Sequence, residues 1–251
     1  MTLALASIGK DGIVMATDSA NAIVEDGKVA SIVSAKKLYK LGNCAGLAVM
    51  SRQSGVSNWI IRRFEPAMRD KGLNVLQLDF DRLVDEFTSF AKNFSSVYTR
   101  DIQVGALRDR HMEMAFILCG YSTQGEASIV QSISTNIPNV FEPDDVPNKR
   151  CYLGFRDESI YWVRKLEEAG INLSCLSIAT LKYLCSFLVY ETADRNPNFV
   201  RSPVQMLTIS QNGDIVIVPS DEISSIADNT KGLSVIHKIK RAMLKMEKSH
   251  G

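Results

Sequence analysis

The stretch TLALASIGKDGIVMATDSA, residues 2–20, sets the architecture of this chain. Two short apolar runs, at 2–8 and 13–17, flank the sequence KDG at 10–12, a turn signal in which glycine can adopt a positive φ. We therefore predict a β-hairpin at the very start of the protein. The N-terminus is expected to be structural from its first residues.

The rest of the chain alternates blocks of strands with pairs of helices. Pro66 is expected to kink its helix or end it early, and Asn212-Gly213 is a two-residue turn signal. This order predicts one α+β domain over 1–251, a four-layer α/β/β/α sandwich. The predicted elements are strands near 28–34, 38–41 and 44–50 after a turn at 25–27, helices over 56–68 and 80–94, strands at 112–121, 127–132 and 151–153, helices over about 157–169 and 173–191, a hairpin within 204–218, and a closing helix from 235.

Composition excludes several classes of function. The 251 residues carry 29 basic and 28 acidic side chains, so no net field attracts nucleic acid. No apolar run approaches the roughly 18 residues that a membrane span needs. The five cysteines are odd in number and contain no C-x-x-C pair, which favours reduced thiols in a cytoplasmic protein and no metal site. We expect no cofactor, no nucleic acid and no membrane partner.

The common catalytic motifs are absent from the sequence. It contains no G-x-S-x-G elbow, no glycine-rich phosphate loop and no H-E-x-x-H, and we interpret His111, His237 and His250 as surface residues. An N-terminal nucleophile needs no histidine. Removal of Met1 would give Thr2 a hydroxyl and a free α-amine of pKa about 7.7–8.0, which suits a base near neutral pH. A Met-Thr start is not specific by itself.

Wider sequence context supports this hypothesis. Residues 2–20, together with AKKLYKLGNCAGLAV at 35–49, resemble the start of mature proteasome β-subunits and their bacterial relatives. Near the other end, SQNGDIVIVPSDEI at 210–223 resembles the last hairpin of that family. The likeness is specific at motif level for roughly the first 50 residues and for 204–223. It implies the N-terminal nucleophile hydrolase fold.

The resemblance also implies a set of catalytic residues. The threonine nucleophile of the family falls on Thr2, its carboxylate on Asp18 and its lysine on Lys37. The backbone N–H that holds the oxyanion falls on Ser51, and a late aspartate of the family falls on Asp194. In this scheme the ammonium of the lysine favours the neutral α-amine and stabilises negative charge on the threonine oxygen.

The turn at 10–12 sets the register of the predicted site. With a three-residue turn, Asp18 pairs with Ala4 and faces the same side as Thr2, about 7 Å along the strand from it. With a two-residue turn, Asp18 would point to the other face. Because 7 Å is too long for a direct contact, we expect Lys37 to bridge Asp18 and Thr2. Lys36 alternates with Lys37 along the strand, and the resemblance selects Lys37.

Three departures from the family pattern accompany the match. Ser51 stands where the family usually has glycine. The auxiliary serine would align near Phe155, where the sequence offers no hydroxyl. The late D-x-x-S-G-G segment is recognisable only as Asp194, with Pro197 in place of the second serine. These changes leave the main catalytic set intact and reduce its supporting residues.

The resemblance implies a threonine peptidase that forms an acyl-enzyme on Thr2. It also implies a homo-oligomeric ring that takes peptides or unfolded proteins, with an ATP-dependent unfoldase as a further partner. Two alternatives stay open: a transpeptidase or protein ligase that resembles the archaeal connectases, and an inactive proteasome-like assembly subunit. A glutamine-amidotransferase or penicillin-acylase relative is disfavoured, because those enzymes usually carry Cys or Ser as the nucleophile.

Overall fold

The computed structural model describes most of the chain. The predicted nucleophile Thr2, the turn residues Asp26 and Gly27, and Phe155, His111 and His250 lie outside the described residues. The residues described are 3–25, 28–51, 56–103, 114–133, 144–145, 150–153, 156–197, 200–229 and 236–241.

Strands and helices follow the predicted order, with two elements that were not predicted, a short strand at 144–145 and a helix at 220–229. The strands are β1 (Ala4–Ile8), β2 (Gly12–Thr17), β3 (Ala20–Glu25), β4 (Lys28–Ser34), β5 (Leu38–Leu41), β6 (Ala45–Ser51), β7 (Met114–Tyr121), β8 (Ala127–Ile133), β9 (Asp144–Asp145), β10 (Arg150–Leu153), β11 (Gln205–Ser210) and β12 (Ile215–Ile217). The α-helices are α1 (Val56–Asp70), α2 (Phe80–Gln103), α3 (Arg156–Glu168), α4 (Ile178–Arg195) and α5 (Ser220–Asn229), and residues 236–241 are also helical.

Two antiparallel five-stranded sheets form the middle of the molecule. The first has the order β10-β1-β2-β11-β12 and the second the order β5-β6-β7-β8-β9. Strands β3 and β4 pair with each other in a separate two-stranded sheet. The strand pairs in each sheet are antiparallel, so the sheets are built from hairpins and long returns rather than from β-α-β units.

Three apolar layers separate the sheets and helices. From Leu3 onward alternate residues face opposite sides: Leu3 and Leu5 pack towards the helices, whereas Ala4 and Ala6 face the second sheet. The layer between the sheets includes Ile8, Ile13, Met15, Leu38, Ala48, Ile117, Cys119, Leu207 and Ile209.

Helices cover the outer face of each sheet. On the second sheet, the aromatic rings of Phe64 and Phe87 meet edge to face at 5.1 Å, and the ring of Phe87 meets that of Phe116 in β7 at 5.0 Å. On the first sheet, Trp162 of α3 is fully buried and its indole N–H donates to the Thr192 hydroxyl of α4 at 2.7 Å. The predicted α/β/β/α sandwich is confirmed.

The first hairpin has a shorter turn than predicted. Ala4 pairs with Thr17 and Ile8 with Ile13, and the Gly9 N–H donates to the Gly12 carbonyl at 2.7 Å, so only residues 10 and 11 form the turn. The predicted three-residue turn, which would place Asp18 opposite Ala4, is therefore wrong. The turn is one residue shorter, and Ala4 lies opposite Thr17.

Contacts from other parts of the fold explain the shorter turn. The Lys10 N–H donates to the Leu176 carbonyl at 2.9 Å, and the Asp11 carboxylate accepts from the Ile178 N–H at 2.7 Å. These bonds fix the turn against the start of α4. Gly12 pairs with Ser210 in β11, and a Cβ at Gly12 would lie 2.4 Å from the Ile209 carbonyl oxygen. Glycine is thus needed for the approach of β11 rather than as the last residue of the turn.

Three other local predictions also need correction. The last hairpin has a three-residue turn at 211–213, in which Gly213 has φ 86°, rather than the two-residue turn at Asn212-Gly213. Helix α1 continues past Pro66 to Asp70, so of the two expectations for Pro66, a kink or an early end, the early end is wrong. Helix α4 begins at Ile178, and residues 173–175 form a separate 3-10 turn.

No helix in the described part of the chain is long and apolar enough to cross a membrane.

Candidate active site

A buried ion pair joins the two sheets near the start of the chain. Asp18 follows the last residue of β2, and Lys37 immediately precedes β5. The Lys37 Nζ lies 3.0 Å from both carboxylate oxygens of Asp18. Asp18 is 0% exposed and Lys37 6% exposed, so both charges are almost completely removed from water.

Backbone groups complete the environment of the Asp18 carboxylate. Its Oδ1 accepts from the Leu3 N–H at 2.9 Å and its Oδ2 from the Ala20 N–H at 2.8 Å. The Asp18 N–H in turn donates to the Leu3 carbonyl at 3.2 Å. Asp18 thus lies beside Leu3, one residue from the predicted partner. Because β2 ends at Thr17, strand alternation no longer sets the direction of this side chain, and it reaches Lys37 despite the two-residue turn.

The lysine that reaches Asp18 is Lys37 and not its neighbour. Lys36 is exposed, and its Nζ lies 4.9 Å from the centre of the Tyr39 ring. The Lys37 carbonyl accepts from the Val49 N–H of β6 at 3.0 Å, and the Lys37 N–H donates to the Gln205 side chain at 3.0 Å. Both backbone groups of Lys37 are therefore fixed.

Burial shifts the pKa of each partner in the direction that favours its neutral form. Loss of solvent raises the pKa of the Asp18 carboxyl, against the opposing effects of the Lys37 ammonium and of the Leu3 and Ala20 N–H groups. Loss of solvent also lowers the pKa of Lys37, which the Asp18 carboxylate opposes. Paired, strongly desolvated groups of this kind are more frequent at functional sites than elsewhere in proteins.

Ser51 is the last residue of β6 and lies at the end of the second sheet where Lys37 leads into β5. It lies opposite Met114 of β7 in the strand register. Because the Val49 N–H points towards Lys37, and N–H groups two residues apart in a strand point the same way, the Ser51 N–H is directed to that side as well. The strand therefore presents a backbone donor next to the lysine segment.

Asp194 belongs to α4, a different element from those that carry Asp18 and Lys37. It occupies the exposed last turn of α4, and within the described residues it makes no hydrogen bond or ion pair with Asp18 or Lys37. Pro197 follows the helix-ending residue Asn196. His237 is exposed on the helical segment 236–241. Among the described residues, no group of three or more His, Cys, Asp or Glu could hold a metal ion.

Sequence reasoning missed Gln205. This residue begins β11, and its side-chain amide contacts the backbone of the segment that contains Lys37. A single glutamine at the start of a strand carries no local signal for a contact 168 residues away.

Known structures resemble this chain, although no protein-family model and no curated protein matches it. A Gly-1 mutant of Anbu from Hyphomicrobium sp. strain MC1 superposes with a TM-score of 0.64 at 15% identity, over 91% of this chain and 92% of that one. Another Anbu structure from that strain superposes with a TM-score of 0.63 at 15% identity, over 90% of this chain and 92% of that one. Anbu from Yersinia bercovieri, described as an ancestral β-subunit, superposes with a TM-score of 0.63 at 14% identity, over 89% of this chain and 91% of that one. The chain has the proteasome-like N-terminal nucleophile hydrolase fold.

Breaking the buried ion pair is expected to destabilise the protein strongly. Asp18→Asn leaves the Lys37 ammonium buried without a counter-charge, which costs about 3–5 kcal/mol of the free energy of unfolding. Urea denaturation measures this change. The matched control is the exposed pair Lys71–Glu86, joined at 2.7 Å, where Lys71→Met costs about 0–1 kcal/mol. Similar losses in Asp18→Asn and Lys71→Met would contradict the interpretation that the pair is desolvated.

Proposed function

We propose that this chain is an N-terminal threonine hydrolase of the proteasome type, with Thr2 as the nucleophile after removal of Met1. The observation that carries this proposal is the hydrogen bond from the Leu3 N–H to Asp18, the carboxylate that also binds Lys37. It ties the start of the chain to a buried ion pair.

Covalent geometry extends this contact to residue 2. The carbonyl carbon of Thr2 is bonded to the Leu3 nitrogen, so the Thr2 Cα is about 2.4 Å from that nitrogen. The nitrogen lies 2.9 Å from Asp18 Oδ1, which lies 3.0 Å from Lys37 Nζ. The proposal requires the hydroxyl and the α-amine of a processed Thr2, the residue bonded directly to Leu3, to reach the Lys37 ammonium.

In the proposed reaction the Thr2 hydroxyl attacks an amide carbonyl. A bond forms between Thr2 Oγ and the carbonyl carbon, and the hydroxyl proton passes to the α-amine of Thr2. The Lys37 ammonium stabilises negative charge on Oγ, and the Ser51 N–H donates to the oxyanion. The C–N bond then breaks, and the leaving amine takes the proton from the α-amine.

Water completes the proposed reaction. The α-amine accepts a proton from a water molecule as its oxygen bonds to the acyl carbon, and the ester bond to Thr2 Oγ breaks with return of that proton to Oγ. Asp18 keeps Lys37 oriented throughout. The substrates are peptides or unfolded proteins, because residues 2–20, 35–49 and 210–223 resemble proteasome β-subunits.

The chemistry predicts one covalent adduct on a chain that lacks Met1. Incubation with a β-lactone is expected to add one equivalent, located on Thr2 by tandem mass spectrometry. Thr2→Ala is expected to take up none, whereas Thr208→Ala, a half-buried threonine of β11, is expected to react like the unmodified chain. Retention of Met1, or a processed chain without an adduct, would contradict the proposal.

The rate of adduct formation is expected to depend on the α-amine. This amine must be neutral to accept a proton, and the adjacent Lys37 ammonium lowers its pKa below the usual value of about 7.7–8.0. The rate is therefore expected to fall as the pH falls, with a midpoint below about 7.7. Lys36→Met, which removes the exposed neighbouring charge, is expected to leave the midpoint unchanged. A midpoint above 8 would contradict the proposed base.

We propose further that copies of the chain assemble into a ring around their Thr2 sites. The structural likeness to Anbu, described as an ancestral β-subunit, supports this assembly. Native mass spectrometry is expected to show a multiple of the 27.8 kDa chain. A stable monomer at micromolar concentration would contradict the ring, and it would leave the adduct experiment unaffected.

A further inference from the structure

The side-chain amide of Gln205 connects the first sheet to the segment that contains Lys37. The Gln205 backbone lies in β11 opposite Thr17, the residue before Asp18. Its side-chain Nε2 donates to the Ala35 carbonyl at 2.6 Å. Its Oε1 accepts from the Lys37 N–H at 3.0 Å and from the Leu38 N–H at 3.3 Å. One amide therefore makes three hydrogen bonds, to three residues of the four-residue stretch 35–38.

The bonded segment lies outside the regular strands, and its Ala35 N–H also donates to the Ser19 carbonyl at 2.8 Å. Residues 35–37 lie between the end of β4 and the start of β5, outside either strand. The Gln205 amide binds the N-terminal side of Lys37, and the Val49 N–H binds its carbonyl at 3.0 Å. Lys37 is thus fixed from the first sheet on one side and from the second sheet on the other.

The direction of these bonds matters for the Lys37 ammonium. A lysine side chain has four flexible carbon–carbon bonds, so the position of its Nζ depends on a fixed backbone as well as on its partner. Gln205 and Asp18 both belong to the first-sheet side, since Gln205 lies opposite the last residue of β2. The same sheet therefore fixes both the backbone of Lys37 and the carboxylate that binds its Nζ.

We infer that Gln205 is a positioning residue for the reaction: it holds the Lys37 backbone so that the Nζ keeps its contact with the Asp18 carboxylate, which also binds the Leu3 N–H. This inference rests on the proposed function of Lys37. Gln205 contacts neither the substrate nor the reacting atoms in this role. Small displacements of a catalytic group can lower a rate by up to about 100-fold, so a loosened Lys37 is expected to slow the chemical step and not the binding step.

The test compares two glutamines of the same hairpin. Gln205→Met keeps the side-chain length and removes the amide, whereas Gln205→Glu keeps an oxygen that can accept from Lys37 and Leu38. Gln211→Met is the matched control, because the Gln211 amide also donates to a backbone carbonyl, that of Lys10, at 3.0 Å, far from Lys37 in the sequence. The maximal rate of adduct formation with a β-lactone and its half-saturating concentration are measured for each variant.

Gln205→Met is expected to lower the maximal rate about tenfold and to change the half-saturating concentration less than about twofold. Gln205→Glu keeps the acceptor for Lys37 and Leu38 but loses the bond to the Ala35 carbonyl, so it is expected to react faster than Gln205→Met and more slowly than the unmodified chain. Gln211→Met is expected to react at the rate of the unmodified chain. If Gln205→Met fails to fold, Gln205→Asn, whose amide is one methylene shorter, replaces it with the same expected loss. A full rate without the amide, or a Gln205→Glu variant as slow as Gln205→Met, would overturn the inference.

A second readout separates this inference from the proposed function. In protein labelled with ¹³C-lysine, the Lys37 Cε signal, assigned by its loss in Lys37→Arg, is expected to move towards that of a free lysine in Gln205→Met and to stay in place in Gln211→Met. If the unmodified chain forms no adduct, the proposed function fails and this signal alone decides the positional role. An unchanged Lys37 signal in Gln205→Met would overturn it.

Discussion

The ion pair between Asp18 and Lys37 fixes the geometry on which the proposed site depends. Its carboxylate binds the N–H groups of Leu3 and Ala20, so it connects the first described residue to the start of β3. Its ammonium belongs to the residue that precedes β5 of the other sheet. One buried contact therefore links the first described residue to both sheets. A charge in this place must stay paired, because an isolated buried ion is strongly unfavourable.

Stability alone does not account for such a pair. Desolvation costs several kcal/mol per ion, and apolar residues of similar volume often replace a buried pair without loss of stability. The surrounding structure nevertheless devotes two backbone N–H groups to Asp18, and the Val49 N–H and the Gln205 amide to Lys37. Polar groups held in one arrangement at this cost are typical of a site that is organised before its substrate binds. The arrangement fits a reaction at residue 2.

Local sequence patterns predicted the elements well and their registers poorly. Apolar periodicity indicated the strands and helices because the helices and sheets of this fold each bury one face. The turn lengths of both hairpins were wrong, since contacts with α4 and β11 fix the first turn and no local signal reports them. The family resemblance predicted the pairing of Asp18 with Lys37. The predicted strand register placed Asp18 opposite Ala4, whereas in the structure Asp18 bonds to Leu3. Gln205 was missed because it acts across 168 residues of sequence.

A crystal structure of the processed chain with a peptide boronate bound would test whether Thr2 is the nucleophile. We expect a bond between boron and the Thr2 Oγ, with one boron oxygen about 2.7–3.1 Å from the Ser51 nitrogen. We also expect the Lys37 Nζ within hydrogen-bond distance of the Thr2 Oγ while the contact between Lys37 and Asp18 is kept. A boronate bound at another residue, or a Thr2 still blocked by Met1, would contradict the role of Thr2 as the nucleophile.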